Sequence, residues 1–97
     1  MVQKFVQTAS GSKYILEGPP WTAQKQGILP HGKKAIVAIS KEKNAFRVPP
    51  ADQNPSNFLG HIKPGYYIYY GSDPERMPTR STRIAIVEDV KELVGAK

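Results

Sequence analysis

The chain has no cysteine, and that absence removes disulfide scaffolds, zinc ribbons and thiol catalysis together. Histidine is nearly as scarce, with only His31 and His61. Metal sites need His, Cys, Asp or Glu converging at set spacings, and two histidines in separate turn-like segments do not supply one. No apolar run approaches the roughly 18 residues that a membrane-spanning helix requires. The N-terminus, Met1-Val2-Gln3-Lys4-Phe5, carries no apolar stretch ahead of a small-residue cleavage site. These absences point to a cytoplasmic protein with no membrane partner. Also missing are G-x-x-x-x-G-K-[ST] and G-x-G-x-x-G, the loops that cradle phosphates, and there is no βαβ pattern to carry them. Nucleotide-dependent motors and dehydrogenases are thereby excluded, and no cofactor is expected. Nor does a G-x-S-x-G elbow support nucleophilic chemistry by Ser10, Ser12, Ser56 or Ser81 with a histidine and Asp52 or Asp73. The residue inventory is that of a protein that is not an enzyme.

The 97 residues, 39% hydrophobic with 9 prolines and 8 glycines, fit one small domain spanning residues 1–97 and are too few for two. The formal charge of +6 comes from 14 Lys plus Arg against 8 Asp plus Glu, and it is unevenly placed. Up to residue 47 the basic residues are Lys4, Lys13, Lys25, Lys33, Lys34, Lys41, Lys43 and Arg47, opposed only by Glu17 and Glu42. From Pro49 onward Lys63, Arg76, Arg80, Arg83, Lys91 and Lys97 balance Asp52, Asp73, Glu75, Glu88, Asp89 and Glu92. A clustered positive field attracts an anionic partner and gains counterion release from a polyanion. A net charge of about 2 to 8 is also what solubility alone asks of a small domain.

Short apolar runs separated by Gly, Pro, Asn and Ser give the periodicity of strands rather than helices. Residues 4–8 and 13–17 predict a hairpin whose turn places Gly11 at positive φ. Gly18-Pro19-Pro20 stops the second strand, and residues 21–32 read as a connection in which Trp21 is a core or lid residue. The uninterrupted run 35–39 predicts a central strand buried on both faces. Residues 41–44 make a charged hairpin tip and 45–48 the returning strand. Residues 51–65 hold no convincing element, only Phe58, Leu59 and Ile62 as apolar pins, and so long a loop tends to be functional. Tyr66-Tyr67-Ile68-Tyr69-Tyr70 is the strongest strand in the chain, and residues 71–80 form a second polar loop.

A last strand over 81–87 places Thr82, Ile84 and Ile86 on one face. Asp89 and Glu92 then cap a helical turn carrying Val90, Leu93 and Val94 on one side. About five or six short strands predict an all-β, mainly antiparallel fold. Its form is a small half-open barrel or a compact sandwich, SH3-like or OB-like, with a short C-terminal helical turn.

The tyrosine strand is the most specific feature. Alternation sets Tyr66, Ile68 and Tyr70 against Tyr67 and Tyr69. If the second face is open, Tyr67 and Tyr69 stack on bases while nearby cations track the phosphates. If it is covered, the same rings serve a homo-oligomer interface or simply pair across strands. Lys33, Lys34, Lys41, Lys43 and Arg47 are the candidate phosphate contacts. Arg80 and Arg83, beside Thr79, Ser81 and Thr82, offer guanidinium forks for a phosphate or carboxylate, and Asp73 and Glu75 in that loop can pair with its arginines instead.

The turn Ser10-Gly11-Ser12-x-Tyr14, the following Trp21 and the closing segment Ser81-Thr82-Arg83-Ile84 together resemble small β accessory proteins encoded by bacteriophages. The resemblance covers two short segments and carries over no catalytic residue. It implies a viral accessory protein that blocks a host protein or captures a small phosphorylated nucleotide signal. Two functional expectations follow. The first is a non-enzymatic module that binds an anionic ligand, foremost a nucleic acid, DNA or RNA. The second is a homo-oligomeric accessory or inhibitor protein, assembled through tyrosines and the Val90, Leu93, Val94 stripe.

Overall fold

The computed structural model describes residues 2–44, 47–71, 73 and 75–90. Strands β1 (Val2–Thr8) and β2 (Lys13–Gly18) form the expected hairpin, with Phe5 opposite Ile15 and Val6 opposite Tyr14. Its turn closes through the Thr8 N–H to Ser12 O bond at 2.8 Å and the Gly11 N–H to Thr8 O bond at 2.9 Å. Gly11 sits at φ +92°, where a side chain would strain the backbone. Period-two alternation puts Val6, Tyr14 and Leu16 into the core.

Residues 21–32 are not a plain connection. Thr22–Gln26 form β3, antiparallel to β2, with Leu16 opposite Ala23. The sequence Thr-Ala-Gln-Lys-Gln has one apolar residue and weak strand propensity, so pairing with β2 rather than local preference makes it a strand. Trp21 belongs to the core. A Cβ on Gly18 would lie 2.4 Å from the Trp21 ring, so the indole occupies space that only glycine leaves free.

Strand β4 (Lys34–Ser40) pairs with β3 through Thr22–Ala35 and Ala23–Lys34, and then with β5 (Tyr67–Tyr70). Ile36 faces Tyr70 while Ala38 faces Tyr69, so Val37 is the extra residue of a β-bulge and is exposed. The bulge explains why the run over 35–39 shows no alternation. Burial on both faces holds only beyond it, where Ala38, Ile39 and Ser40 are all buried. Of the returning strand expected over 45–48, residues 45 and 46 lie outside the described residues. Arg47 and Val48 lie outside any strand, and the aromatic β5, with more surface to bury, takes the place beside β4.

The segment expected to hold no element contains two 3₁₀ turns, Pro50–Gln53 and Pro55–Asn57, and the short helix α1 (Phe58–His61). Proline starts both 3₁₀ turns, and the Asn54 side chain caps the second by accepting the Ser56 N–H at 3.0 Å. Phe58 and Ile62 are core residues, whereas Leu59 is exposed.

Strands β6 (Thr79–Arg80) and β7 (Ile84–Asp89) complete a seven-stranded sheet of order β6-β5-β4-β3-β2-β1-β7. Residues 79–84 run back along β5. Ser81 N–H donates to Ile68 O at 2.8 Å, Ile84 N–H to Tyr66 O at 2.8 Å, and Gly65 N–H to Ile84 O at 3.0 Å. Because β7 also pairs with β1, these bonds close the sheet on itself. The all-β, mainly antiparallel expectation holds, in its barrel rather than its sandwich form. Thr8 opposes Ile84 and Gln7 opposes Ile86, so Ala85 is a second bulge. It breaks the expected alternation, sending Ile84 and Val87 to the core and leaving Ile86 exposed. Asp89 ends β7; most of the expected helical turn, Leu93 and Val94 included, lies outside the described residues.

Inside the barrel the Tyr14 and Tyr70 rings meet edge-on at 5.7 Å between centroids, with their hydroxyls 3.2 Å apart. Burial, reinforced by the hydrogen bond to Tyr70, pushes the Tyr14 phenol well above its usual pKa. The folded state thus keeps this phenol neutral to a higher pH than the unfolded chain does. Its contribution is complete below about pH 10, the value of a free tyrosine, and declines as pH rises above it. Urea unfolding across pH 9 to 11 will show Tyr14→Phe losing stability less steeply than the parent. At neutral pH, Gly18→Ala will cost about 1–3 kcal/mol, because the Trp21 ring must move; an unchanged urea midpoint would refute that.

Candidate anionic-ligand surface

Strand β5 presents side chains to both sides, as its alternation requires. Ile68 lies in the main core with Tyr66 and Tyr70 packed against it, while Tyr67 and Tyr69 form a second cluster with Ala38 and Val48. Tyr67 is 7% exposed and Tyr69 1%. Neither ring offers an open face to a base, so the stacking role that alternation allowed them does not fit their burial. The Tyr69 hydroxyl donates to the Glu42 carbonyl. Burial pushes its pKa upward against the opposing pull of Arg80. The Arg80 guanidinium lies 5.3 Å from the centre of the Tyr67 ring, and one of its N–H groups donates to the Lys43 carbonyl.

The cover over these tyrosines is tied down by polar bonds. Ser40 Oγ, fully buried, donates to Asp52 Oδ2 at 2.7 Å and accepts the Glu42 N–H at 3.1 Å. His61 Nε2 is 3.0 Å from Asp52 Oδ1, and Gln53 Nε2 donates to Val48 O at 2.7 Å. Ser40 gives its proton to Asp52 rather than to His61, so the three residues make no nucleophile–base relay. Asp52 instead pins the 3₁₀ turn to the end of β4. These contacts are invisible in the sequence, because the chain must pass through the second 3₁₀ turn and α1 and fold back before His61 meets Asp52.

The candidate cations divide into three places. Lys41, Lys43 and Arg47 are exposed on the turn after β4, where the Arg47 N–H donates to Asn44 O at 2.9 Å, and Arg80 joins them through Lys43. Lys63, not among the candidates, completes this group: its Nζ lies 5.3 Å from the Tyr66 ring centre, and Lys41 Nζ lies 5.5 Å from the same centre. The His61 ring stands 5.1 Å from Tyr66 on the way. The only local hint of Lys63 is its place on the Pro64-Gly65 turn that opens the tyrosine strand. Lys33 and Lys34 lie at the other end of β4, about 20 Å away at 3.3 Å per residue. Lys33 pairs with Glu17 there and, with Gln3, holds that carboxylate below its ordinary pKa. Arg83 is exposed beside the β1–β2 turn, its carbonyl accepting the Ala9 N–H at 2.7 Å. Next to it, Ser10 Oγ lies 2.9 Å from Thr82 Oγ1 and 3.3 Å from Ser12 Oγ.

Arg76 pairs with Asp73 at 3.4 Å, the internal pairing that this loop's composition allowed. Among the described residues no group of three or more His, Cys, Asp or Glu is placed to hold a metal, and no helix is long and apolar enough to cross a membrane. No protein-family model, curated protein or solved structure matches the chain, so the surface is read on its own chemistry.

Replacing Asp52 with Ala will leave the buried Ser40 hydroxyl without its acceptor, at a cost of about 1–3 kcal/mol. Hydrogen exchange will accelerate over residues 47–53 ahead of the β1–β2 hairpin; equal protection of both segments would show that Asp52 does not hold the cover.

Proposed function

We propose that the protein is a non-enzymatic binding module for a polyanion and that its ligand is a nucleic acid. The observation that carries this reading is the convergence of five cations from three segments. Lys41, Lys43 and Arg47 come from one turn, Lys63 from a second, and Arg80 from β6. Among the described residues no ion pair joins any of the five to a carboxylate. Glu42 is the one acid within the turn over 41–44, and Asp52 is engaged by Ser40 and His61.

Such a group gains most from a ligand with several regularly spaced charges, since each phosphate neutralised releases counterions. A single small anion would engage only part of it. Half-buried Tyr66 has the Lys41 and Lys63 ammonium groups 5.5 and 5.3 Å from its ring centre, and these cation–π contacts order both side chains, so part of the ordering cost is met before the ligand arrives.

Binding of labelled duplex and single-stranded DNA and RNA across a salt series tests the reading. Log affinity should fall linearly with log salt, by about 0.9 per phosphate contacted on a duplex. Changing Lys41, Lys43 and Arg47 together to Gln should lower that slope by roughly 2 to 3 with an unaltered circular dichroism spectrum. No binding at low salt, or an unchanged slope in the triple variant, would overturn the assignment.

A further inference from the structure

Residues 18–41 contain no Asp or Glu, yet hold Lys25, Lys33, Lys34 and Lys41. Within this stretch the chain leaves β3 and turns before β4. At the turn Ile28 is 102% exposed and Leu29 72%, followed by the exposed Pro30. Two adjacent, largely exposed aliphatic side chains are an unfavourable surface for a monomer to keep. They are not a frayed accident of the chain, because the Gln24 side chain donates to His31 O at 2.7 Å and Gln26 to Gln24 O at 3.0 Å. The first bond ties the two arms of the loop together, the second lies within β3, and Ile28 and Leu29 are left at the tip. Lys25 in β3 and Lys34 at the start of β4, opposite Ala23, stand at the base of the loop and are exposed, and among the described residues no ion pair engages either of them.

We infer that this loop is an apolar wedge that inserts between base pairs of duplex DNA, with Lys25 and Lys34 on the neighbouring phosphates. The inference rests on the nucleic-acid reading and deepens it by naming the duplex as the substrate. Three observations favour that choice. A convex tip of two aliphatic side chains has the size of a base step, and wedges of Ile, Leu and Pro kink duplexes by partial unstacking. Its exposed neighbours on the loop, Gln26, Gly27, His31, Gly32 and Lys33, add no further large apolar side chain, whereas a protein partner needs about 800 Å² a side. The burial of Tyr67 and Tyr69 also removes the stacking platform on which sequence-tolerant binding of single strands depends.

The test uses the full chain with a 24-base-pair duplex carrying a fluorophore at each end, read by energy transfer for bending and by anisotropy for affinity. The parent protein should shorten the end-to-end distance and should prefer a duplex with a central mismatch, where unstacking is already partly done. Ile28→Ser with Leu29→Ser should abolish the bending and the mismatch preference and weaken binding roughly tenfold. Both positions are exposed, so the fold should be untouched, as circular dichroism would show. Parent and variant binding and bending the duplex alike would overturn the wedge while leaving the polyanion reading in place. Absence of any nucleic-acid binding by the parent would remove both. Sedimentation with phosphatidylserine vesicles that depends on Ile28 and Leu29, with duplex binding unaffected by their loss, would assign the tip to a lipid surface and also overturn the wedge.

Discussion

Ile68 and Tyr69 are consecutive residues pointing to opposite sides of one strand, and both are almost completely removed from water. Much else in the structure follows from that constraint. A strand buried on both faces needs two covers, and the barrel interior supplies only one. The second is the segment that carries Val48, led across the outer face and held there by Asp52 through Ser40 and His61. Burying a large aromatic side chain stabilises by about 1.5–3 kcal/mol, comparable with the cost of leaving one buried hydroxyl unbonded. The apolar cluster and its polar fastening therefore matter to a similar degree.

The same arrangement sets the electrostatics. The turn after β4 passes over Tyr69, which donates to the Glu42 carbonyl, and Arg80 spans Tyr67 to reach the Lys43 carbonyl. Hydrogen bonds that serve the packing of β5 thereby gather Lys41, Lys43, Arg47 and Arg80 on one part of the surface. Tyr66, at the entrance to β5, adds Lys63 by drawing two ammonium groups over its ring. A positive field at this place is a by-product of covering tyrosines. The hairpin loop at Ile28 and Leu29 is different, because nothing in the packing of the domain asks for it.

Strands with strong local signals were legible from residues alone. The β1–β2 hairpin, with Gly11 in its turn, and the tyrosine strand with its alternation are both present. Strands β3 and β4 show where local signals fail. Thr22–Gln26 has almost no apolar surface and becomes a strand because β2 offers it a ladder. The bulges at Val37 and Ala85 move side chains to the opposite face without leaving a mark in the composition. Among the candidate site residues, Lys41, Lys43, Arg47 and Arg80 come together. Lys33, Lys34 and Arg83 stand apart, and Tyr67 and Tyr69 turn out to be packing. Charge along the chain says how many cations there are, and only the path of the backbone says which are neighbours.

By itself the sequence determined the class of this protein: an antiparallel β domain with a basic first half, a two-faced tyrosine strand, and none of the motifs for metal, thiol or nucleotide-dependent chemistry. These are properties of short windows, in which propensity, periodicity and the presence of a residue type decide. Tertiary structure decided that the sheet closes through residues 79–84, that the outer tyrosines are covered, that Lys63 joins a cluster to which Lys33 does not belong, and that Ile28 and Leu29 stay in water. Each of these turns on contacts between segments far apart in the chain. Such contacts form only when the whole set of burials and hydrogen bonds is satisfied together, and no window of neighbouring residues contains that condition.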